Sequence, residues 1–435
     1  MYKIAVWLVG IVSLWPVQSS FGQAGKAERV RLQKKYVDEI ATLASHPKLL
    51  EAFTLINDLE PETRKEHILL TEIPAPPFKE EKRAKKFAEL LQQIGVDRVW
   101  IDEVGNVLAL RKGVKGGKTV LVEAHLDTVF PEETDVLVKV SGDTLKAPGI
   151  GDDTRGLAVL LAGLKILNQL QIKTEADILW AGTVGEEGLG DLRGIKHLFN
   201  TPSLTIDSHI ALDGVGIGRI VNSAVGSIRY RIKFKGPGGH SFGAFGLANP
   251  HHALGRTIAE FVEKADEYTR TGEKTTYNIG VIGGGTSVNA IPYESWLEVD
   301  MRSENASRLA GLERLFLNAV ESGLQRENEI RKMGEELTAE IIKVGDRPSG
   351  SIPESAPLVQ RAAASAAHLG TVPMLGASST NSNTPLSLGI PSVTIGSGGN
   401  AGGAHSLDEW WINENGHLGI QHLLLVLLAE SGIKE

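Results

Sequence analysis

The chain of 435 residues contains no cysteine. That absence excludes disulfides, thiolate metal sites and a lipidated cysteine as a membrane anchor. Any metal must be held by histidine, aspartate or glutamate. Basic side chains are in deficit, 45 Lys and Arg against 53 Asp and Glu, for a net charge of −8. No long basic run occurs, so nucleic acid is excluded as an expected partner. A phosphate-binding loop is missing too: residues 280–285 (GVIGGG) are glycine-rich but open no P-loop helix.

What is present begins with an apolar run at residues 4–17 (IAVWLVGIVSLWPV), preceded by Lys3 and followed by small residues at Ser20, Gly22 and Ala24. The run is short for a bilayer span and reads as an export signal. Cleavage is expected after Gly22 or Ala24, with residues 1–24 outside the fold. The mature protein is expected to be periplasmic or secreted, with no stable membrane span.

Length argues for two domains, and 42% hydrophobic with 23% charged residues is a globular composition. Residues 27–91 are read as helical, with amphipathic spacing at 64–70 and 79–91 and a break at Pro74, Pro76 and Pro77. Strands are expected at 106–110, 119–124 (TVLVEA), 176–184 (ADILWAGTV), 210–212 and 392–395 (SVTI), with a helix over 153–170. This alternation describes an open α/β sheet, whose ligands sit at the carboxyl edge.

The middle reads differently. Residues 227–235 (SIRYRIKFK) and 337–344 (LTAEIIKV) alternate strictly, with strands at 276–281 and 295–302 and helices at 249–265 and 306–330. The order β-α-β-β-α-β resembles a ferredoxin-like sandwich. It places an inserted domain at 223–348, between catalytic segments 25–222 and 349–435.

The functional groups stand at the ends of the apolar runs: His125 and Asp127, Asp152 and Asp153 after two glycines, Glu186 with Glu187, then Asp213 and His405. Each alone has an ordinary reading, such as an exposed turn histidine or a solvated acidic loop. The ordered set does not. Imidazoles suit zinc, and a carboxylate such as Asp152 has two oxygens with which to bridge two ions. Asp127 can buttress a ligand. Asp153 is assigned mostly to the helix start, where the dipole favours an acid. Of the glutamate pair, one ligates and the other takes a proton from water. The inserted segment adds His240 in a glycine-rich turn, Asn289 and Arg302. A histidine and an asparagine can donate to an oxyanion, and an arginine can fork onto a carboxylate.

Together these motifs resemble the dinuclear zinc family of aminoacylase, glutamate carboxypeptidase, peptidase T, acetylornithine deacetylase and succinyl-diaminopimelate desuccinylase. The resemblance is carried by His125-Leu126-Asp127, Gly151-Asp152-Asp153, Glu186-Glu187-Gly188, Leu212-Asp213-Gly214, Gly239-His240-Ser241, Asn289-Ala290-Ile291-Pro292, Asp300-Met301-Arg302 and Ala404-His405-Ser406. It implies a zinc-peptidase-like catalytic domain with a mixed central sheet, interrupted by a lid or dimerisation domain. It implies two Zn2+ per subunit, with Co2+ or Mn2+ as substitutes. His125 and Asp213 would hold one ion, Glu187 and His405 the other, and Asp152 would bridge. Asp127 would orient His125, and Glu186 would be the general base. Arg302 and Asn289 would bind substrate. His240 would reach the partner's site in a homodimer formed through the lid. Two positions depart from the family pattern: Thr154 stands where many members have lysine, and Asn381 where many have aspartate. The second is expected to bear on substrate-side chemistry.

The expected activity is that of an exported exopeptidase acting on small peptides with metal-activated water. Two readings share the same residues: an N-acyl amino acid deacylase, and a non-catalytic peptide-binding homologue. Retention of every ligand argues against the last. Export favours peptides over N-acyl amino acids as substrate.

Overall fold

A computed structural model describes residues 28–434, so the export signal lies outside the described residues. The larger sheet is mixed and ten-stranded. Its middle is four parallel strands, ordered Ser392–Ile395, Ser208–Leu212, Thr119–His125 and Asp177–Thr183. Antiparallel Val107–Arg111 and Arg98–Ile101 extend one side. On the other, Arg219–Ala224 pairs antiparallel to Ser392–Ile395, and Met374–Ser378 runs parallel beyond it.

Both faces of the middle strands are covered, which is why they read as near-continuous apolar runs. Thr119–His125 sends Val120, Val122 and Ala124 to one side. There they meet the helices Thr154–Gln169, Pro357–His368 and His417–Ser431. Leu121 goes to the opposite side and packs near Ile195 and Leu198 of the helix Arg193–Asn200. His125, Glu186, Asp213 and Gly396 all fall at or just past the carboxyl ends of these four strands.

The second sheet takes its strands from residues 226–347, ordered Thr275–Gly284, Glu294–Ser303, Gly226–Lys235 and Thr338–Arg347, antiparallel throughout. Tyr230, Ile232 and Phe234 point to one face and pack with Phe261 and Phe316 of the helices Pro250–Thr269 and Ala306–Ile330. The alternate residues Arg229, Arg231 and Lys233 are left on the other face. The unit is narrower than the sequence reading of 223–348, because Ser223 and Ala224 still pair in the large sheet. The last strand runs three residues past the expected Val344, and its final residue, Arg347, arrives at the catalytic loops. A small sheet of residues 139–146 and 400–412 was not expected; its strands of three residues are too short to show a period.

Candidate active site

Asp152 stands between two imidazoles. Its Oδ1 is 2.9 Å from His125 Nε2 and its Oδ2 is 3.1 Å from His405 Nε2. His405 Nε2 also lies 2.9 Å from Glu187 Oε1. Donor atoms of His125, Asp152 and Glu187 all lie within 4.8 Å of one another. Asp213, just past its strand, lines the same cleft, its amide donating to the Ile395 carbonyl at 3.0 Å.

Asp127 works in two directions. Its main-chain carbonyl lies 3.0 Å from His125 Nδ1, which fixes the ring and leaves Nε2 facing Asp152. Its carboxylate is 3.8 Å from that Nδ1, too far for a hydrogen bond. It accepts instead from the amides of Glu186 at 2.9 Å and Glu187 at 2.7 Å. The expected orienting of His125 thus runs through the main chain, and the side chain sets the glutamate pair.

Five acids, Asp152, Glu186, Glu187, Asp213 and Glu409, line a cleft of ≈ 920 Å³. Burial, reinforced by Glu187, pushes the Glu186 carboxyl up to about 8 against the nearby Arg347 charge. Burial and Asp152 push Asp213 up to about 7. Hydrogen bonds donated to the carboxylates of Asp152 and then Glu187 draw His405 up to about 11. So many acids in so little water call for cationic charge. Oxygen and imidazole donors without thiolate fit divalent metal ions.

Several supporting residues escaped the sequence reading. The Glu409 carboxylate accepts from the amides of Gly149 at 2.7 Å, Gly151 at 2.8 Å and Asp152 at 3.0 Å, and so holds the loop that presents Asp152. A Cβ at Gly151 would stand 3.2 Å from Glu409 Oε1, so a larger residue there would press on this carboxylate. Arg347 donates Nη1 to Glu186 Oε1 at 3.3 Å and Nη2 to the Glu186 carbonyl. Arg229 donates to the Gly188 carbonyl at 2.8 Å. Glu409 precedes Trp410-Trp411, Arg229 lies within an alternating strand and Arg347 closes another; none had a neighbouring motif to mark it.

Asp153 precedes the helix Thr154–Gln169 without a capping bond; its carboxylate lies against the first turn at Gly156 and also accepts from the His125 amide at 3.0 Å. Asn381, read as bearing on substrate, does not line the cleft. It is buried, with Nδ2 on Glu123 Oε2 at 3.0 Å and Thr183 Oγ1 at 2.9 Å. Within one subunit His240 and Asn289 are not among the cleft residues, whereas Arg302 is. They lie side by side, the Ser241 amide donating to the Asn289 carbonyl at 2.9 Å. The His240 ring is exposed, with Nδ1 3.2 Å from the Phe242 and Gly243 amides. Thr154 also gains a role: its buried hydroxyl bonds the Gly149 carbonyl at 2.8 Å and Thr71 Oγ1 at 2.7 Å.

This fold and this cluster define a metallohydrolase. The family model for peptidase family M20/M25/M40 matches residues 121–429, and the chain belongs to that family. It is 28% identical over 275 residues to the uncharacterised YqjE protein of Bacillus subtilis (strain 168), covering 60% of this chain and 67% of that one. It is 26% identical over 209 residues to carboxypeptidase G2 of Pseudomonas sp. (strain RS-16), covering 45% of this chain and 47% of that one, about half its length. A solved tripeptidase of Staphylococcus aureus shares the fold, with a TM-score of 0.68 at 22% identity over 85% of this chain and 99% of that one.

Proposed function

We propose that the chain is an exported exopeptidase that hydrolyses amide bonds in small peptides at a pair of zinc ions. The observation that carries the reading is the convergence of His125, Asp152, Glu187 and His405, with Glu186 buried beside them and bonded to none of them. His125 and Asp213 would hold one ion, Glu187 and His405 the other, and Asp152 the bridging position. Bound there, the ions would polarise the scissile carbonyl and acidify water. Glu186 takes the proton from the attacking water on a carboxylate oxygen and returns it to the leaving nitrogen. Asp127 fixes Glu186 through its amide, and Arg347 steadies its carboxylate. Arg302, half-exposed in the cleft, is suited to the chain-end carboxylate of a peptide.

Two copies are proposed to pair through the inserted sheet, so that His240 and Asn289 enter the partner's cleft. Support comes from the apolar surface around them: Phe242 is 89% exposed, Phe245 75% and Val288 103%. Export rests on residues 4–17. Among the described residues no helix is long and apolar enough to cross a membrane.

The test combines elemental analysis with hydrolysis of dipeptides, tripeptides and N-acetyl amino acids by the metal-loaded enzyme. Two zinc per subunit and cleavage of peptides are expected. Turnover confined to N-acetyl amino acids would replace peptidase by deacylase. Full activity with at most one metal would end the dinuclear reading.

A further inference from the structure

We propose that Arg219 makes the cleft select substrates carrying a second carboxylate: a peptide with an acidic residue, or an N-acylated acidic amino acid. The inference rests on the hydrolase reading above and goes beyond it by naming the side-chain class.

Four arginines line the cleft: Arg219, Arg229, Arg302 and Arg347. Three have acidic partners. Arg347 is engaged by Glu186. Arg229 and Arg302 share Asp300, at 2.8 Å and 2.7 Å. One carboxylate between two guanidinium groups leaves one positive charge over, and Arg302 is the more exposed of the two. Arg219 makes no ion pair within 4 Å among the described residues; its charge acts only at longer range, on Asp213. Its one hydrogen bond among those residues runs from Nη2 to the Ala377 carbonyl at 3.2 Å. A guanidinium has five N–H donors, so most of the fork remains for a ligand.

The backbone sets where that fork lies. Arg219 opens the strand Arg219–Ala224 opposite Met374 of the neighbouring strand Met374–Ser378, and its side chain runs along that strand past Gly376 to the Ala377 carbonyl. A Cβ at 376 would stand 3.2 Å from Arg219 Nε. Arg219 thus lies close over that strand and lines the cleft together with Ser378 and Ser379. The cleft therefore offers two positive forks, Arg302 from the inserted sheet and Arg219 from the large one. One monocarboxylate cannot use both. A dicarboxylic substrate can, with a planar two-point contact at each.

The experiment compares matched acid and amide substrates, Ala-Glu with Ala-Gln, Glu-Ala with Gln-Ala and N-acetyl-Glu with N-acetyl-Gln, on metal-loaded wild type and Arg219→Gln. Wild type should prefer the acid in at least one pair by roughly 10- to 100-fold in kcat/KM, the range of a charged hydrogen bond. In Arg219→Gln that ratio should collapse toward one. Calorimetry with glutarate and butyrate gives a readout independent of turnover. Wild type should bind glutarate more tightly by about tenfold, the low end of the same range, and the variant should lose the difference. Cleavage of the amide members without any acid preference, or a preference that survives Arg219→Gln, would overturn the role of Arg219 and leave the hydrolase standing. A glutarate preference lost in the variant, with none of the substrates cleaved, would uphold Arg219 and overturn the hydrolase reading.

Discussion

Arg347, the last residue of the inserted sheet, is paired with Glu186, the first acid after the strand Asp177–Thr183: Nη1 lies 3.3 Å from Oε1, with a second bond to the Glu186 carbonyl. Both side chains are buried, at 6% and 7% exposure, so the contact is not a solvent-screened surface pair. The inserted unit is thereby tied to the acid proposed as general base. Asp346 strengthens the tie, its amide donating to Asp191 Oδ1 at 2.9 Å.

The first prediction follows from that pair. Arg347→Ala should lower kcat by roughly 10²-fold, the scale of about 1 Å of misplacement in a catalytic group. Metal content should hold, because no proposed ligand touches Arg347. Arg347→Lys should recover part of the rate, since a lysine keeps the charge but not the two-point geometry. Steady-state kinetics with metal analysis decide it; a kcat within twofold of wild type in the alanine variant would detach the inserted sheet from catalysis.

The second concerns the adjacent glutamates. Both amides are held by the Asp127 carboxylate, yet only Glu187 meets His405. Glu186→Gln should keep its metals and lose roughly 10²-fold or more in rate, the usual size of a general-base effect. Glu187→Gln should instead reduce metal occupancy. Equal occupancy losses in the two variants would show that the division of roles is mistaken.

The third prediction is a pH dependence of stability. His422 is wholly buried, with Nδ1 2.8 Å from Ser365 Oγ, and burial pushes its pKa down to about 3. In the unfolded chain a histidine titrates near ~6.5. Below that pH the unfolded state binds the extra proton, so this contribution is complete above pH ~6.5 and is lost as pH falls toward ~3. By pH 5 the loss should be roughly 2 kcal/mol. His67, pushed down to about 3 by burial and then by Arg155, acts in the same direction. Urea unfolding between pH 7.5 and 5 should show a shallower fall for His422→Leu than for wild type. Parallel curves would mean that His422 is not the titrating group.

The chain shows its chemistry where a reactive residue ends an apolar run. His125 follows TVLVEA, Glu186 follows a seven-residue buried strand, and Asp213 follows another. The helix Ala306–Ile330 and the strand Ser392–Ile395 were legible to the residue, because their apolar spacing is unbroken. Glu409, Arg347 and Arg219 were not. Each acts through a partner far along the chain, as Glu409 does on Gly149 across 260 positions. Local periodicity carries no record of such a pairing. Asn381 was noticed only as a departure from a family pattern, and its direction was misread for the same reason: its partner is Glu123, 258 positions away.

That partnership yields the last prediction. At 381 this chain has an amide, and an acid faces it from Glu123. Glu123 is 1% exposed and Asn381 2%. The Asn381 amide donates to Glu123 Oε2 at 3.0 Å, and the Thr183 hydroxyl donates to the same oxygen at 2.7 Å. On its other oxygen Glu123 lies 3.3 Å from His209 Nε2. Asn381→Asp would set two buried carboxylates about 3 Å apart, where both cannot ionise, as in other close carboxylate dyads. The variant should lose about 2–4 kcal/mol at pH 8, in the range for an uncompensated buried charge. The loss should shrink as pH falls, because a carboxyl pKa raised in the folded state makes that state bind the extra proton. Adding Glu123→Gln should recover at least half of it, since one acid and one amide again face each other. The double-mutant cycle should therefore give a favourable coupling of about 1 kcal/mol or more. Chemical denaturation of the two single variants and the double variant at pH 8 and pH 5.5 measures every corner. Additive losses, or an Asn381→Asp variant as stable as wild type at pH 8, would show that the amide at 381 is not there to serve Glu123.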